Sequence, residues 1–368
     1  MFEFPRLTGR YKIGSTQRYI KDESRQEIYN KDNPAQKREL MTSVWYPAHT
    51  HAYLEIYNEL NLEQTKQEWR DKGCSEEDIA LFDQVFCHAS PNAQLLKPHN
   101  QYPVIIFSHG YGDCSPSIYT AFCEELASHG YVVISISHTY YASKTTFPDG
   151  RIIKASTEIM SRWPNADDIK IWVGDVDCVL NEIKQWNTDP ADQFFGLLDL
   201  NKIGMFGHSY GGAVSFEMCA FDDRIKTGIS LDAALYGKAT LNNMNKPFMF
   251  IMAEASVTQA LMTDEEVAQK HSMSLEVIKS IREKTKASDN FMKFDLPTLN
   301  NSTNPSSFII PNLEHGAFSD FSLMKETPFF KKHKDKIPFE KIVGAVDGVA
   351  TIKLINQYIV EFFKENLK

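Results

Sequence analysis

The chain has 368 residues, 42% of them hydrophobic and 24% charged, with a formal net charge of −9 at pH 7. That composition excludes a disordered chain, and the negative balance excludes a nucleic-acid backbone as partner, because phosphate binding needs a basic face. The six cysteines form no C-x-x-C pair and have no zinc-ligand spacing to histidine, so neither a metal site nor a disulfide framework is expected.

In chain order, the opening MFEFPRLTGRYKIG has no basic n-region and no apolar h-region. No later apolar run approaches the roughly 18–20 residues of a membrane span. The expectation is a soluble protein, cytoplasmic or secreted. RYKIGSTQRYI (10–20) and RELMTSVWYPA (38–48) alternate polar and apolar residues, as antiparallel edge strands do. Within 52–98, YLEIYNEL and EDIALFDQVF are helical in pattern. YPVIIFSHG (102–110) reads as a buried strand and SIYTAFCEELASHG (117–130) as a helix closed by Gly130. YVVISISHT (131–139) is a strand and DIKIWVGDVDCVLNEIKQW (168–186) a long helix. KIGMFGHS (202–209) is a strand and GGAVSFEMCAF (211–221) a helix; KTGISLDA (226–233), KPFMFIMAE (246–254) and SSFIIPNLEH (306–315) are strands. Residues 255–300 hold a polar helical pattern, and GVATIKLINQYIVEFFKENL (348–367) closes the chain as a helix.

Continuous apolar strands alternating with helices imply an α/β protein with a mainly parallel central sheet covered on both faces. The expected organisation is one domain over 1–368, with helical insertions at about 52–98 and 255–300 forming a lid or substrate-access elements. The apolar sets Leu54, Ile56, Tyr57, Leu60 and Ile79, Leu81, Phe82, Val85, Phe86 each fit one helix face. Such faces are more often core than lipid-facing. Few basic residues flank them, so at most weak contact with a lipid surface is expected.

Gly207-His208-Ser209-Tyr210-Gly211 is G-x-S-x-G between an expected strand and an expected helix. That is the context the motif requires in the α/β-hydrolase fold. The turn is tight, side chains two residues from the serine would collide, and glycine fills both places. The competing reading is a glycine-rich turn with a surface serine. A serine hydroxyl needs a base held by a third group, and in this fold the order is Ser, acid, His. His315, after the last strand, is the candidate base; His271 and His333 lie in charged segments and read as solvated surface residues. Two acids compete, Asp232 after GISL and Glu254 after FMFIMA, with Asp232 favoured by its shorter side chain and its place at a strand end. The Tyr210 amide at the helix start is one oxyanion donor, and Gly110 lets the Tyr111 amide turn inward as the second. His109 reads as a residue bracing that loop.

With these pieces placed, the chain resembles the platelet-activating factor acetylhydrolases of the plasma and intracellular type II kind. The resemblance is carried by YPVIIFSHGYG, KIGMFGHSYGGA, GISLDA and EHGAFSDF, and by GRYKIGST with SVWYPA near the start. It implies an α/β-hydrolase fold and a calcium-independent, serine-dependent phospholipase A2 that releases short sn-2 acyl groups through an acyl-enzyme. It implies Ser209 as nucleophile, Asp232 rather than Glu254 as acid, His315 as base, and no cofactor. The implied partner is a small ester or phospholipid substrate. A general short-chain carboxylesterase or polyester hydrolase of the dienelactone-hydrolase kind stays open. So does a catalytically dead binding module, although such modules usually lose the serine or the histidine.

Overall fold

The structure, a computed structural model, describes residues 1–50, 54–97, 100–112, 114–162, 164–239, 244–286 and 306–368. Among them, eight longer strands carry the main sheet: β1 (Ile13–Gln26), β2 (Lys37–His49), β3 (Tyr102–Ser108), β4 (Val132–Ser137), β5 (Leu198–His208), β6 (Ile225–Leu231), β7 (Phe248–Ala253) and β8 (Ser306–Ile310). Their spatial order is β8-β7-β6-β5-β3-β4-β2-β1. Every neighbour pair from β8 to β4 is parallel, and β2 runs antiparallel to both β4 and β1. The helices used below are α1 (Glu63–Asp71), α2 (Thr120–Ser128), α3 (Ala166–Thr188), α4 (Tyr210–Phe221), α5 (Glu254–Leu261), α6 (Asp264–His271), α7 (Leu275–Lys286) and α8 (Gly348–Asn366).

The period of two explains why the central strands are apolar at nearly every position. In β3, Ile105 and Phe107 point to one face, where they join Phe122 and Leu126 of α2 and Ile359 and Phe363 of α8. Val104 and Ile106 point to the other, among Trp172 and Val176 of α3 and Val214 and Phe216 of α4. Each such fully buried side chain contributes about 1.5–3 kcal/mol of transfer free energy.

The expectation for the N-terminal strands needs one correction. β1 and β2 are antiparallel partners, but β2 is not an edge strand: it lies between β1 and β4 and is buried almost throughout. Its polar residues are buried with partners; Arg38 and Thr42 are both nearly inaccessible. β8 is the exposed edge instead, with Phe308 and Ile309 partly open.

The first insertion departs from the helical reading. Glu55–Ile56 and Val85–Cys87 are short strands that pair with each other, and Val85–Cys87 also pairs with Phe2–Glu3 at the chain start. Of the first expected helix only the one-turn Asn58–Asn61 remains; the second holds as the turn Glu76–Ile79 continued by a 3-10 helix, Ala80–Gln84, before the chain becomes strand at Val85, with α1 between the two. Strand pairing with the N-terminus, invisible in a local pattern, overrides the periodicity. The apolar sets turn inward as expected of core: Tyr57, Leu60, Ile79, Phe82 and Val85 are buried, while Ile56 is exposed. Trp69 and Phe82 pack on Phe329, with ring centroids 5.0 and 4.3 Å apart. In the second insertion, α6 and α7 gather Val267, Ala268 and Ile278 into a small core of their own, against which Met262 packs. The expected insertion from residue 287 to 300 lies outside the described residues. Among those described, no helix is long and apolar enough to cross a membrane.

Candidate active site

The register of the sheet brings the site together. His208 at the end of β5 pairs with Leu231 at the end of β6, so Ser209 and Asp232 each stand one residue past the sheet on adjacent strands. The Ser209 N–H donates to the Leu231 carbonyl at 2.8 Å. Ser209 is held at φ 53, ψ −124, a conformation costing on the order of 1–3 kcal/mol for a side-chain-bearing residue. The flanking glycines serve close approach. A Cβ at Gly211 would lie 2.1 Å from the Ser108 carbonyl oxygen, and one at Gly207 would lie 2.2 Å from the Gly211 oxygen. The start of α4 therefore rests directly on the end of β3.

Asp232, also at positive φ, is buried and fully engaged. It accepts from His315 Nδ1 at 2.6 Å, from Ser256 Oγ at 2.6 Å and from the Ala253 N–H at 2.8 Å. Glu254, the competing acid, turns away and accepts from the Asn312 N–H at 2.8 Å. His315 opens a short 3-10 turn, His315–Phe318, and its imidazole is half-exposed. With Nδ1 donating to Asp232, Nε2 is the free nitrogen. No hydrogen bond joins it to Ser209 in this structure, and the Ser209 hydroxyl has no partner among the described residues. Such bonds are often long before substrate binds and tighten in the complex.

Tyr210 is the first residue of α4, where backbone N–H groups have no intrahelical acceptor. Neither its amide nor that of Tyr111 donates to any group among the described residues. The two rings sit edge to face with centroids 5.4 Å apart. The Tyr111 hydroxyl is anchored on Asp168 at 3.2 Å, beside a two-pronged Arg162–Asp168 pair at 2.6 Å. Burial, then the Asp168 charge, push the Tyr111 phenol far up.

Three buried histidines, His109, His138 and His208, surround these groups. His109 braces the loop as the sequence suggested: Nδ1 donates to the Gly110 carbonyl at 2.6 Å. Burial and the His138 ring lower its pKa to about 3. His208 is depressed well below the usual imidazole range by burial and by His315, whose ring centroid is 4.6 Å away. His333 needs a correction: it packs on Phe329 and sits 3.3 Å from Asp78, rather than in solvent. His271 is the last residue of α6. The sequence reading did not find Ser256, Tyr119, His138 or His208 as site neighbours. Only the position of His208 inside G-x-S-x-G could have pointed to one of them. A cavity of about 280 Å³ lies between Leu60, Trp69, Ile118, Phe330 and Ile342, but none of the five expected site residues lines it.

The model of the family described as platelet-activating factor acetylhydrolase, isoform II, matches residues 1–171 and 169–368. The platelet-activating factor acetylhydrolase of Cavia porcellus is 30% identical over 183 residues, covering 43% of this chain and 42% of that protein. A probable 1-alkyl-2-acetylglycerophosphocholine esterase of Arthroderma benhamiae is 24% identical over 272 residues, 72% of this chain and 60% of that protein. The platelet-activating factor acetylhydrolase of Gallus gallus is 25% identical over 322 residues, 77% and 66% of the two. The matches thus span 42% to 66% of the length of these relatives. Among solved structures, a ferulic acid esterase from Streptomyces cinnamoneus matches 100% of this chain and 93% of its own, with a TM-score of 0.71 at 22% identity. That likeness shows the fold, an α/β-hydrolase fold.

Proposed function

The chain belongs to the platelet-activating factor acetylhydrolase, isoform II, family, and on that premise we propose that it is a serine-dependent carboxylic-ester hydrolase acting on short acyl esters of glycerophospholipid. The observation that carries the reading is the 2.6 Å bond from His315 Nδ1 to Asp232, made at the same sheet edge that presents Ser209.

The proposed chemistry follows from that bond. Asp232 keeps the His315 proton on Nδ1 and leaves the Nε2 lone pair to take the proton of Ser209. Ser209 attacks the ester carbonyl, and the oxyanion is received by the Tyr111 and Tyr210 amides, the latter at the positive end of α4. His315 returns the proton to the leaving alkoxide, then activates water to cleave the acyl-enzyme. The steps use only these side chains and amides. The family and its relatives' names support a glycerophospholipid with a short acyl group as substrate.

The direct test is turnover of p-nitrophenyl acetate. Ser209→Ala is expected to lose at least ~10³-fold of kcat, in line with removal of a triad member elsewhere. A near-normal rate rejects the assignment. Comparing a short-acyl phosphatidylcholine with a simple short-chain ester then tests the substrate class: the phospholipid is expected to be hydrolysed with the higher kcat/KM.

A further inference from the structure

Gly110, just before the Tyr111 amide, is held at both of its backbone groups. Its carbonyl accepts from His109 Nδ1 at 2.6 Å, and its N–H donates to the Tyr119 hydroxyl at 3.2 Å. Each anchor is itself fixed. His109 Nε2 accepts the backbone N–H of His138 at 3.1 Å, so the hydrogen-bond pattern assigns the His109 proton to Nδ1. On the other arm, the Tyr119 hydroxyl donates to His208 Nδ1 at 2.9 Å, and His208 Nε2 donates to the His315 carbonyl at 3.1 Å. A single direction of donation thus runs from the Gly110 N–H through Tyr119 and His208 to the main chain of His315. His109, Tyr119 and His208 are all buried. Polar rings in such a place are unfavourable unless bonded, and here both nitrogens of each histidine are used.

The geometry of one peptide makes this matter. The Gly110 C=O and the Tyr111 N–H belong to the same planar, trans unit and point to opposite sides. Fixing the carbonyl toward His109 therefore fixes the direction of the Tyr111 N–H. Released from His109, that carbonyl has no other hydrogen bond among the described residues to hold it, and Gly110 tolerates the change of ψ that turning the peptide over requires. Its carbonyl oxygen would then face the place where negative charge develops. The same turn abuts the serine, since Gly211 leaves no room between α4 and the Ser108 and His109 carbonyls.

We propose that His109, with Tyr119 and His208, is a positioning residue for the hydrolysis: it clamps the Gly110–Tyr111 peptide so that the Tyr111 N–H is preset as an oxyanion donor, and His208 ties that clamp to His315. The inference rests on the function proposed above. Burial lowers the pKa of both His109 and His208 and so favours the neutral rings that the chain of bonds requires.

The test compares p-nitrophenyl acetate with its thiono analogue, whose C=S sulfur accepts N–H bonds poorly. The ratio of the two rates reports the oxyanion donors themselves, and a merely structural residue does not move it. His109→Ala is expected to lower kcat for the oxo ester by roughly 10²–10³-fold, the cost of one oxyanion donor, with KM little changed and the oxo-to-thiono ratio reduced. His109→Asn places an amide N–H where Nδ1 stands and is expected to recover about tenfold of that loss, whereas His109→Gln is not. A folded His109→Ala with a wild-type ratio overturns the proposal even if kcat falls. If His109→Ala fails to fold, Tyr119→Phe removes one oxygen only; it is expected to lower the same ratio, and an unchanged ratio overturns the proposal. Ser209→Ala separates the two readings. An inactive Ser209→Ala beside an unaltered ratio in the clamp variants rejects the clamp alone, while an active Ser209→Ala rejects both.

Discussion

Two residues of the site, Ser209 and Asp232, carry side chains at positive φ. Both stand one step beyond the ends of paired strands, where the chain must turn sharply to keep a polar group above the sheet. The surroundings over-determine these conformations: the Ser209 N–H is bonded to Leu231, and the Asp232 N–H to Ile251. Gly211 makes the tightest of the contacts behind them. A methyl group there meets two backbone oxygens, of Ser108 and His109, which cannot swing aside as a flexible side chain would. Gly211→Ala is therefore expected to push the start of α4 away from β3. We expect about 1–3 kcal/mol of lost stability from overpacking, read by denaturant titration. The displaced serine is expected to lose roughly 10²-fold in p-nitrophenyl acetate turnover. Wild-type turnover in a stable Gly211→Ala protein would show that the close contact is not needed.

At the level of elements, β2 is joined to α3 by a buried ion cluster. Arg38 of β2 binds Asp175 of α3 through two nitrogens, at 3.0 and 2.7 Å, and Glu27 at 2.6 Å. Arg25 adds a further bond to Asp175 at 2.7 Å, and His138, just past β4, one at 2.9 Å. Burial alone would raise the Asp175 pKa, but Arg38 and His138 outweigh it and hold the carboxyl far below its usual range. His138 in turn receives the Ser108 hydroxyl at 3.1 Å and stacks on Trp172. The cluster therefore reaches the end of β3, where the Gly110–Tyr111 turn begins. Arg38→Met leaves two buried carboxylates short of their main partner. The expected loss is about 3–5 kcal/mol, measured as the shift in urea unfolding free energy. A change below 1 kcal/mol would mean that the remaining cations suffice.

Across the whole molecule, Asp320 ties three distant parts of the chain together. It follows His315 by five residues and is fully buried. Its carboxyl accepts the Thr120 and Ala121 amides at the start of α2, at 2.9 and 3.1 Å, and the Tyr57 hydroxyl of the first insertion at 3.0 Å. Burial raises its pKa from 3.8 to about 7. The sign follows from linkage. Between these two values the folded protein holds a proton that the unfolded chain has released, so this contribution to stability is full below pH 3.8 and is lost as pH rises to about 7. Asp320→Asn keeps an oxygen for one of the two amides, which use different carboxyl oxygens, and has no proton to lose. Thermal unfolding across this range is expected to show a smaller fall in Tm with rising pH for the variant than for the wild type. The slope that remains belongs partly to Glu124, whose carboxyl is also raised by burial. Parallel profiles for the two proteins would remove Asp320 from the account.

The order of the elements, the apolar central strands and the G-x-S-x-G turn are legible in the sequence because they rest on local patterns: period two, helix caps and glycines beside a serine. Chain order alone also singles out Ser209 and His315, and it leaves Asp232 and Glu254 in competition. Only the tertiary structure decides what depends on distant partners. It puts His315 on Asp232 and Glu254 on the Asn312 amide. It buries Arg38 because α3 brings a carboxylate to it across 137 residues of chain. It turns part of the first insertion from helix to strand because the N-terminus lies alongside. It joins Tyr119 to His208, a bond that no periodicity encodes. A side chain's hydrophobicity and its neighbours in sequence set which local structure is favourable. Whether a polar group is buried, and what it then binds, depends on groups that only the folded chain brings within 3 Å.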